Sequence, residues 1–226
     1  EQRITSQGGL VDMRIRFDEQ LKQLNKEMIN MGTMIEESIG DAVKALMKQD
    51  VELAQKVMAG DEEIDRTERK IEDLCLRLLL QQQPVARDLR NISAALKMVT
   101  DMERIGDHAT DISELAIVLS EKTYVKKLDH IEEMARETMV MLIQSLEAYV
   151  EKDLDKAQKV IAHDDVIDDL FEEVKQELIE LIRNHADEGE QAVDLLMVTK
   201  YFERIGDHAT NIAEWVIFSI TGQIAG

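Results

Sequence analysis

The octapeptide "ERIGDHAT" occurs at residues 103–110 and again, unchanged, at residues 203–210, which lie 100 positions further along the chain (203 − 103). The similarity extends upstream, because "QDVELAQKVMAGDEEID" at 49–65 aligns with "KDLDKAQKVIAHDDVID" at 152–168. A long internal repeat is typical of a fold that uses one structural unit more than once. We therefore predict two equivalent halves.

The composition favours helices. Only 4% of the 226 residues are aromatic, Pro84 is the single proline, and the common residues are good helix formers. Apolar residues recur at spacings of three and four in six stretches: 28–49, 51–81, 84–120, 128–150, 154–182 and 192–220. Because short turns make neighbouring helices antiparallel, we predict an all-α fold, a tandem repeat of two antiparallel three-helix bundles. One continuous six-helix bundle would bury the same apolar faces.

The repeat also suggests where the domains lie. Residues 1–12 are polar, contain two glycines and lack a helical period, so we expect a vector-derived or disordered lead-in there. Residues 13–120 would then form the first three-helix bundle, and residues 121–226 would form the second.

Charge and cysteine content limit the classes of function. Forty-seven acidic residues oppose 27 lysines and arginines, a net charge of −20, so we expect no nucleic-acid binding. The one cysteine, Cys75, lies in an apolar helical register, which indicates a core residue in a reducing compartment. No apolar run is long enough to cross a membrane, and no signal peptide is recognisable. We expect a cytoplasmic protein without direct membrane insertion.

The octapeptide places acids along one side of its helix. Successive residues differ by about 100°, so four acids of the first copy fall within about 80° of one another: Glu103, Asp107, Asp111 and Glu114. The apolar residues of the segment face the opposite side. The second copy has a similar set, Glu203, Asp207 and Glu214, with Asn211 at the position of the third acid.

The second helix of each half carries a similar stripe. Its members are Asp61, Asp65 and Glu68 in the first half and Asp164, Asp168 and Glu172 in the second. Like charges four residues apart destabilise a helix by a few tenths of a kcal/mol per pair, so a compensating partner is expected. If the second and third helices are neighbours, their carboxylates converge into a site for divalent or trivalent cations. A solvated acidic face is the alternative.

Two further positions of the octapeptide leave alternatives open. Gly106 and Gly206 would let a neighbouring helix approach closely, and that contact alone could preserve the repeat. His108 and His208 are either part of a metal site or exposed or salt-bridged side chains.

Two helical halves, each with an acidic D-x-x-x-D segment followed by E-R-I-G-D, resemble the PhoU family of bacterial phosphate-transport regulators from about Met13 onward. The resemblance implies two three-helix bundles and, as in some members, iron or zinc clusters held by the acidic motifs. The implied ligands are Asp61, Asp65, Glu103 and Asp107, extended by Asp111, in the first half, and Asp164, Asp168, Glu203 and Asp207 in the second. Because Asn211 is a neutral ligand, we expect the second site to bind metal more weakly.

The resemblance implies a non-enzymatic negative regulator of the phosphate-starvation response. Such a regulator acts between a phosphate ABC transporter, through its ATPase subunit, and a sensor histidine kinase. We expect a homodimer, held at the inner face of the membrane by protein partners. Two alternatives remain. One is a di-iron enzyme, although no glutamate of the stripes has a histidine three residues later; the other is a structural scaffold whose acidic faces bind nothing in particular.

Overall fold

The chain folds into six α-helices. A computed structural model describes residues 4–81 and 84–223, with side chains described for residues 14–80 and 84–223. The helices are α1 (Ile4–Lys48), α2 (Val51–Gln81), α3 (Ala86–Leu119), α4 (Asp129–Glu151), α5 (Leu154–Asn184) and α6 (Gly189–Thr221), with a 3₁₀ turn, Ala186–Glu188, before α6. No residue in the described ranges lies in a β-strand. The predicted all-α fold with two sets of three helices is confirmed.

Two helix boundaries differ from the sequence-based expectation. α1 begins at Ile4, so residues 4–12 of the expected lead-in continue the first helix, while residues 1–3 lie outside the described residues. α3 begins at Ala86 with Val85 as its N-cap, so Pro84 precedes the helix instead of occupying its first turn. There the missing N–H of proline removes no helical hydrogen bond. The division into bundles at residue 120 stays a prediction.

The turns into α2 and α5 repeat each other in backbone conformation. Gln49 and Lys152 occupy equivalent positions, and both are left-handed, with φ of 54° and 55°. In each turn the next residue is an aspartate whose carboxylate accepts a backbone N–H, from Leu53 to Asp50 at 3.0 Å and from Lys156 to Asp153 at 2.9 Å. These bonds satisfy amides that the first helical turn leaves without a partner. Asp50 and Asp153 therefore cap the starts of α2 and α5.

The two halves meet along α3 and α6, the most extensive helix pair in the described structure. These helices are antiparallel. Arg90 near the start of α3 lies beside Gly222 at the end of α6, and Lys122 just after α3 pairs with Glu190 at the start of α6. α1 also contacts α4. The buried side chains therefore form one continuous core across both halves, so the fold combines two three-helix units with a shared interior.

Burial follows the predicted apolar faces closely. Met28 and Met31 of α1 and Ile105 of α3 are all buried. Cys75 is also buried, as expected, and this burial raises the pKa of its thiol to about 12. No described helix combines the length and apolar character needed to span a bilayer.

Gly106 sets the distance between α2 and α3. A Cβ added there would lie 3.2 Å from Cγ2 and 3.3 Å from Cδ1 of Ile64 on α2, closer than the ordinary carbon contact of about 3.5 to 4.0 Å. Gly206 meets Ile167 of α5 in the same way, with a nearest distance of 3.4 Å. Gly60, in contrast, has no neighbouring atom within 4 Å. The octapeptide glycine therefore does permit a close helix contact.

Replacing Gly106 by alanine is expected to destabilise the protein by up to about 2 kcal/mol. The new methyl group overpacks the contact at a cost of about 1 to 3 kcal/mol, because the β-branched Ile64 has little freedom to rotate away within a helix; the gain of up to about 1 kcal/mol from replacing a glycine in a helix interior offsets part of this cost. Chemical denaturation of the purified variant measures this change in the free energy of unfolding.

Gly60→Ala is the matched control. It removes a glycine from a helix interior without meeting another atom, so it should stabilise the protein by up to about 1 kcal/mol. Equal effects of the two substitutions would show that Gly106 does not control the α2–α3 distance.

Candidate metal centre

Three carboxylates of α2 and α3 converge in the first half. Asp61 and Asp65 lie one turn apart on α2, and Asp107 lies on the neighbouring helix α3. One oxygen from each carboxylate lies within 4.8 Å of the others, and no other group of acids, histidines and cysteines in the described part of the chain is arranged in this way. All three side chains are half-buried. Hard divalent cations prefer such oxygen ligands, so the donor set fits a metal ion.

The electrostatics of this cluster favour an added positive charge. Burial raises the pKa of Asp61, and the nearby Asp107 and Asp65 raise it further, while the neighbouring Thr110 hydroxyl acts in the opposite direction. The pKa of Glu103 is also raised, first by burial and then by Asp107. Each shift means that the folded site disfavours the ionised carboxylates. A bound cation would relieve this repulsion.

Arginines supply part of the missing positive charge. One Nη of Arg104 lies 3.0 Å from Oδ2 of Asp107, and its Nε lies 3.6 Å from Oε2 of Glu103. Arg69 lies 3.3 Å from Oδ2 of Asp65. Both arginine side chains are more than half exposed, so these ion pairs contribute little stability. They can be displaced without opening the core.

The acids of the second half are less concentrated. Burial raises the pKa of Asp164, and Asp168 adds to this effect; burial and Glu203 raise the pKa of Asp207. However, these four acids do not bring three ligand atoms as close together as the first-half group does in the described structure. Asp168 and Asp207 are also exposed. The structure thus brings the predicted ligands together more tightly in one half than in the other.

A lysine accounts for part of this difference. Lys200 forms an ion pair with Glu203, whereas the equivalent position of the first half is Thr100. Lys200 therefore adds to the second stripe a positive charge that the equivalent position of the first half lacks. This is a reason, in addition to Asn211, to expect weaker metal binding in the second half.

The two octapeptide histidines lie where the halves meet. The ring centroid of His108 lies 5.7 Å from that of His208 and 5.5 Å from that of Tyr201. Nδ1 of His108 lies 3.0 Å from Oδ2 of Asp111, and Nδ1 of His208 lies 2.8 Å from Oδ1 of Asp101. Burial lowers the pKa of His108, an effect that the bond to Asp111 opposes. The contact of His108 with Asp111 fits both a salt-bridged side chain and a residue that supports an expected metal ligand, so the choice between the two explanations stays a prediction.

Asp111 and Asn211 both face this interface. The Asn211 amide donates to Oδ1 of Asp101 at 3.0 Å, while the Asp111 carboxylate is engaged with His108. Asp111 lies outside the group of three close carboxylates. Its expected role as an extension of the metal site stays a prediction.

Sequence reasoning missed three residues that act here: Asp101, Lys200 and Tyr201. All three lie two or three residues before an octapeptide, at positions where the two copies differ. The available signal was a mismatch that changes the charge just upstream of an otherwise identical segment. Such a mismatch marks where a symmetric fold carries unequal chemistry.

Removing the charge of Glu68 should stabilise the metal-free protein at high pH. Burial, then Glu103 and Glu72, raise the pKa of Glu68 from 4.5 to about 7. The folded state therefore binds more protons than the unfolded state between these two values, so the free energy of unfolding falls as pH rises through this window. Chelator-treated Glu68→Gln should unfold at a higher temperature than the wild-type protein at pH 8 and at nearly the same temperature at pH 4. Thermal unfolding followed by circular dichroism measures the difference.

Glu180→Gln is the control, because Glu180 is an exposed residue of α5 outside the acidic stripes. Its effect on the unfolding temperature should change little between pH 4 and pH 8. If the effect of Glu68→Gln is equally independent of pH, the repulsion attributed to the acidic cluster is absent.

Comparisons with known proteins identify the family. A model of the PhoU domain matches residues 28–116 and again residues 131–216. The chain is 40% identical over 208 residues to a phosphate-specific transport system accessory protein PhoU homolog of Clostridium acetobutylicum, covering 92% of this chain and 95% of that protein. It is 32% identical over 210 residues to PhoU homolog 1 of Thermotoga maritima, covering 92% and 90%. These relatives are named as accessory proteins of a transport system, a non-enzymatic role, which agrees with the expectation that the chain is not an enzyme.

Solved structures agree with this assignment. The crystal structure of PhoU from Pseudomonas aeruginosa matches with a TM-score of 0.89 and 33% identity, covering 92% of this chain and all of that chain. The phosphate transport system regulatory protein PhoU from Streptococcus pneumoniae matches with a TM-score of 0.86 and 26% identity, covering 93% and 99%. The repeated domain, the relatives and the shared fold together show that the chain belongs to the PhoU family.

Proposed function

We propose that the protein is a metal-binding signalling adaptor of phosphate-specific transport. In phosphate-rich conditions it restrains phosphate uptake and the phosphate-starvation response. It does so by contacting the ATPase subunit of a phosphate ABC transporter and a sensor histidine kinase. The accessory and regulatory roles named for its relatives support this proposal.

The observation that carries the proposal is the convergence of Asp61, Asp65 and Asp107. Half-buried carboxylates that repel one another are unfavourable unless a cation is bound or a partner supplies positive charge. Their oxygen atoms would hold an iron or zinc ion, which would add positive charge at the point where the three carboxylates meet. Asp164, Asp168, Glu203 and Asp207 would form a weaker second site.

The charge of the protein favours protein partners over lipid. With a net charge of −20, the surface is repelled by an anionic bilayer, and no described helix can span one. An action on a membrane transporter then requires contact with the cytoplasmic parts of that transporter. The proposed location is therefore the inner face of the membrane, with the protein acting as a homodimer held by its partners.

Metal binding is expected to depend mainly on the first half. The wild-type protein, purified without chelator, should retain iron or zinc by elemental analysis, and chelation should lower its melting temperature. At free metal 100-fold above Kd the stabilisation is about 2.7 kcal/mol, or roughly 5 to 10 °C for a chain of this size. The triple variant Asp61→Asn, Asp65→Asn, Asp107→Asn should lose this metal-dependent rise, although its metal-free form is at least as stable because the repulsion is removed.

The same substitutions in the second half provide the control. Asp164→Asn, Asp168→Asn, Asp207→Asn should keep most of the bound metal and most of the melting-temperature rise. If the wild-type protein retains no metal, and if added iron, zinc, manganese or magnesium leaves its melting temperature unchanged, the acids form only a solvated face.

Loss of both acidic sites should abolish repression. The quadruple variant Glu103→Ala, Asp107→Ala, Glu203→Ala, Asp207→Ala leaves the apolar faces intact, so it should fold. In a strain that lacks the native gene, it should fail to repress a phosphate-starvation reporter in phosphate-rich medium. It should also fail to retain the transporter ATPase subunit in a pull-down with purified components.

A second quadruple variant makes the same charge change at exposed positions away from the acidic stripes: Glu52→Ala, Glu121→Ala, Glu180→Ala and Asp187→Ala. Repression by this control should be normal. Normal repression by the folded site variant as well would leave the adaptor role to some other face of the protein.

A further inference from the structure

A groove runs along the contact between α1 and α4, on helices that contribute none of the carboxylates of the candidate metal centre. The two helices lie close together at Gly32, where an added Cβ would lie 2.5 Å from Cδ1 of Leu146. Beside this crossing lie two hollows of about 270 and 500 Å³. Along α1 the groove extends from Ile29 to Lys44, about 22 Å at 1.5 Å per residue. This length accommodates about four turns of another helix.

The walls of the groove are apolar and accessible. Ile29, Val140 and Val150 are 47%, 36% and 50% exposed, and all three line it. Half-buried Met139 also lines it, with its Cε atom 3.7 Å from the position of a Cβ at Gly40. Methionine at a surface groove adapts to differently shaped apolar partners. Exposed aliphatic side chains aligned along one groove are typical of sites that bind the apolar face of an amphipathic helix.

The rim of the groove is acidic. Glu36, Glu147 and Glu151 line the hollow at the crossing, and no described basic residue lines it. Lys156 lies 2.9 Å from Glu147 and 2.7 Å from Glu151, so two carboxylates share one ammonium group.

The second hollow is lined by Lys44 and Arg136 beside Glu132, so over both hollows four glutamates face two basic residues. The groove as a whole therefore keeps an excess of negative charge, concentrated at the crossing. A ligand with basic residues on either side of an apolar stripe would complement both its shape and its charge.

We propose that the α1–α4 groove binds a basic, amphipathic helix of a partner protein. The proposal rests on the adaptor function proposed above and identifies the surface and the chemistry of one contact. Charge selects this occupant over a second copy of the chain at this groove, because a copy with a net charge of −20 would have to bring basic residues against the glutamates of the groove; the proposed homodimer would use another face. Repulsion by the same glutamates excludes an anionic lipid surface.

The proposal can be tested with a designed peptide. The probe is a fluorescein-labelled 18-residue helix of leucine and lysine, with leucines spaced to form one apolar face. Binding is followed by fluorescence anisotropy at 150 mM salt, where long-range attraction between exposed charges is largely screened. A leucine and glutamate peptide with the same spacing should bind at least tenfold more weakly, and so should a scrambled leucine and lysine peptide.

A groove variant and a matched control locate the binding site. The triple variant Ile29→Ser, Val140→Ser, Val150→Ser removes exposed side chains of the groove and should weaken binding at least tenfold. The control, Leu76→Ser, Val118→Ser, Val193→Ser, removes aliphatic side chains that are 48%, 51% and 53% exposed elsewhere; it should change the affinity less than twofold. Because all six positions are exposed, both variants should keep the circular dichroism spectrum of the wild-type protein.

Each other outcome overturns the proposal. Equal binding by the groove and control variants would show non-specific attraction to an acidic surface. Equal binding of the glutamate peptide would show that the ligand need not be basic. If sedimentation velocity shows a dimer that only the groove variant dissociates, a second copy occupies the groove. These binding measurements use purified protein and depend neither on bound metal nor on the phosphate supply of a cell. A failure to bind the peptide is therefore distinguishable from a failure of the metal-site variants to repress the reporter in cells.

Discussion

The close approach of α2 to α3 is the constraint on which the candidate site depends. The absence of a side chain at Gly106 lets Ile64 lie against the backbone of α3, and this contact brings the acidic faces of both helices together. The carboxylates repel one another, as the raised pKa values of Asp61 and Glu103 indicate. Packing of the buried faces outweighs that repulsion. The fold thus maintains an electrostatically unfavourable cluster, which is the condition under which a cation binds strongly.

Most positions of the octapeptide have a physical role in this arrangement. Ile105 and Ala109 are fully buried in the core, Gly106 allows the helix contact, and His108 lies at the junction of the halves beside its counterpart His208. The two acids and the final threonine face the neighbouring helix, where the Thr110 hydroxyl lies beside Asp61. A segment that packs on one side, faces acids on another and meets its own copy on a third has few positions free to change.

The two halves share a fold but not the same chemistry. Just before each octapeptide the two copies differ: Thr100 of the first half is equivalent to Lys200 of the second, and Asp101 is equivalent to Tyr201. As a result, Lys200 neutralises one acid of the second stripe, while Asp101 accepts hydrogen bonds across the junction. A duplicated scaffold can therefore carry two acidic clusters of unequal spacing and charge. The α1–α4 face differs from both, because it presents apolar side chains along the walls of a groove.

The sequence by itself determined the six helices, the repeat, the buried faces and the stripes on which the acids lie. These features depend on local spacing, caps such as Asp50 and turn conformation, all of which are encoded within a few neighbouring residues. Only the tertiary structure decided that Asp61, Asp65 and Asp107 converge more tightly than their second-half equivalents, that Asp111 turns to His108, and that α1 and α4 leave a groove. Those outcomes depend on distances between helices, and such distances follow from contacts such as Gly106 with Ile64 and Gly32 with Leu146, which join residues far apart in the chain. Periodicity indicates which face of a helix carries an acid, but it contains no information on how near another helix comes to that face.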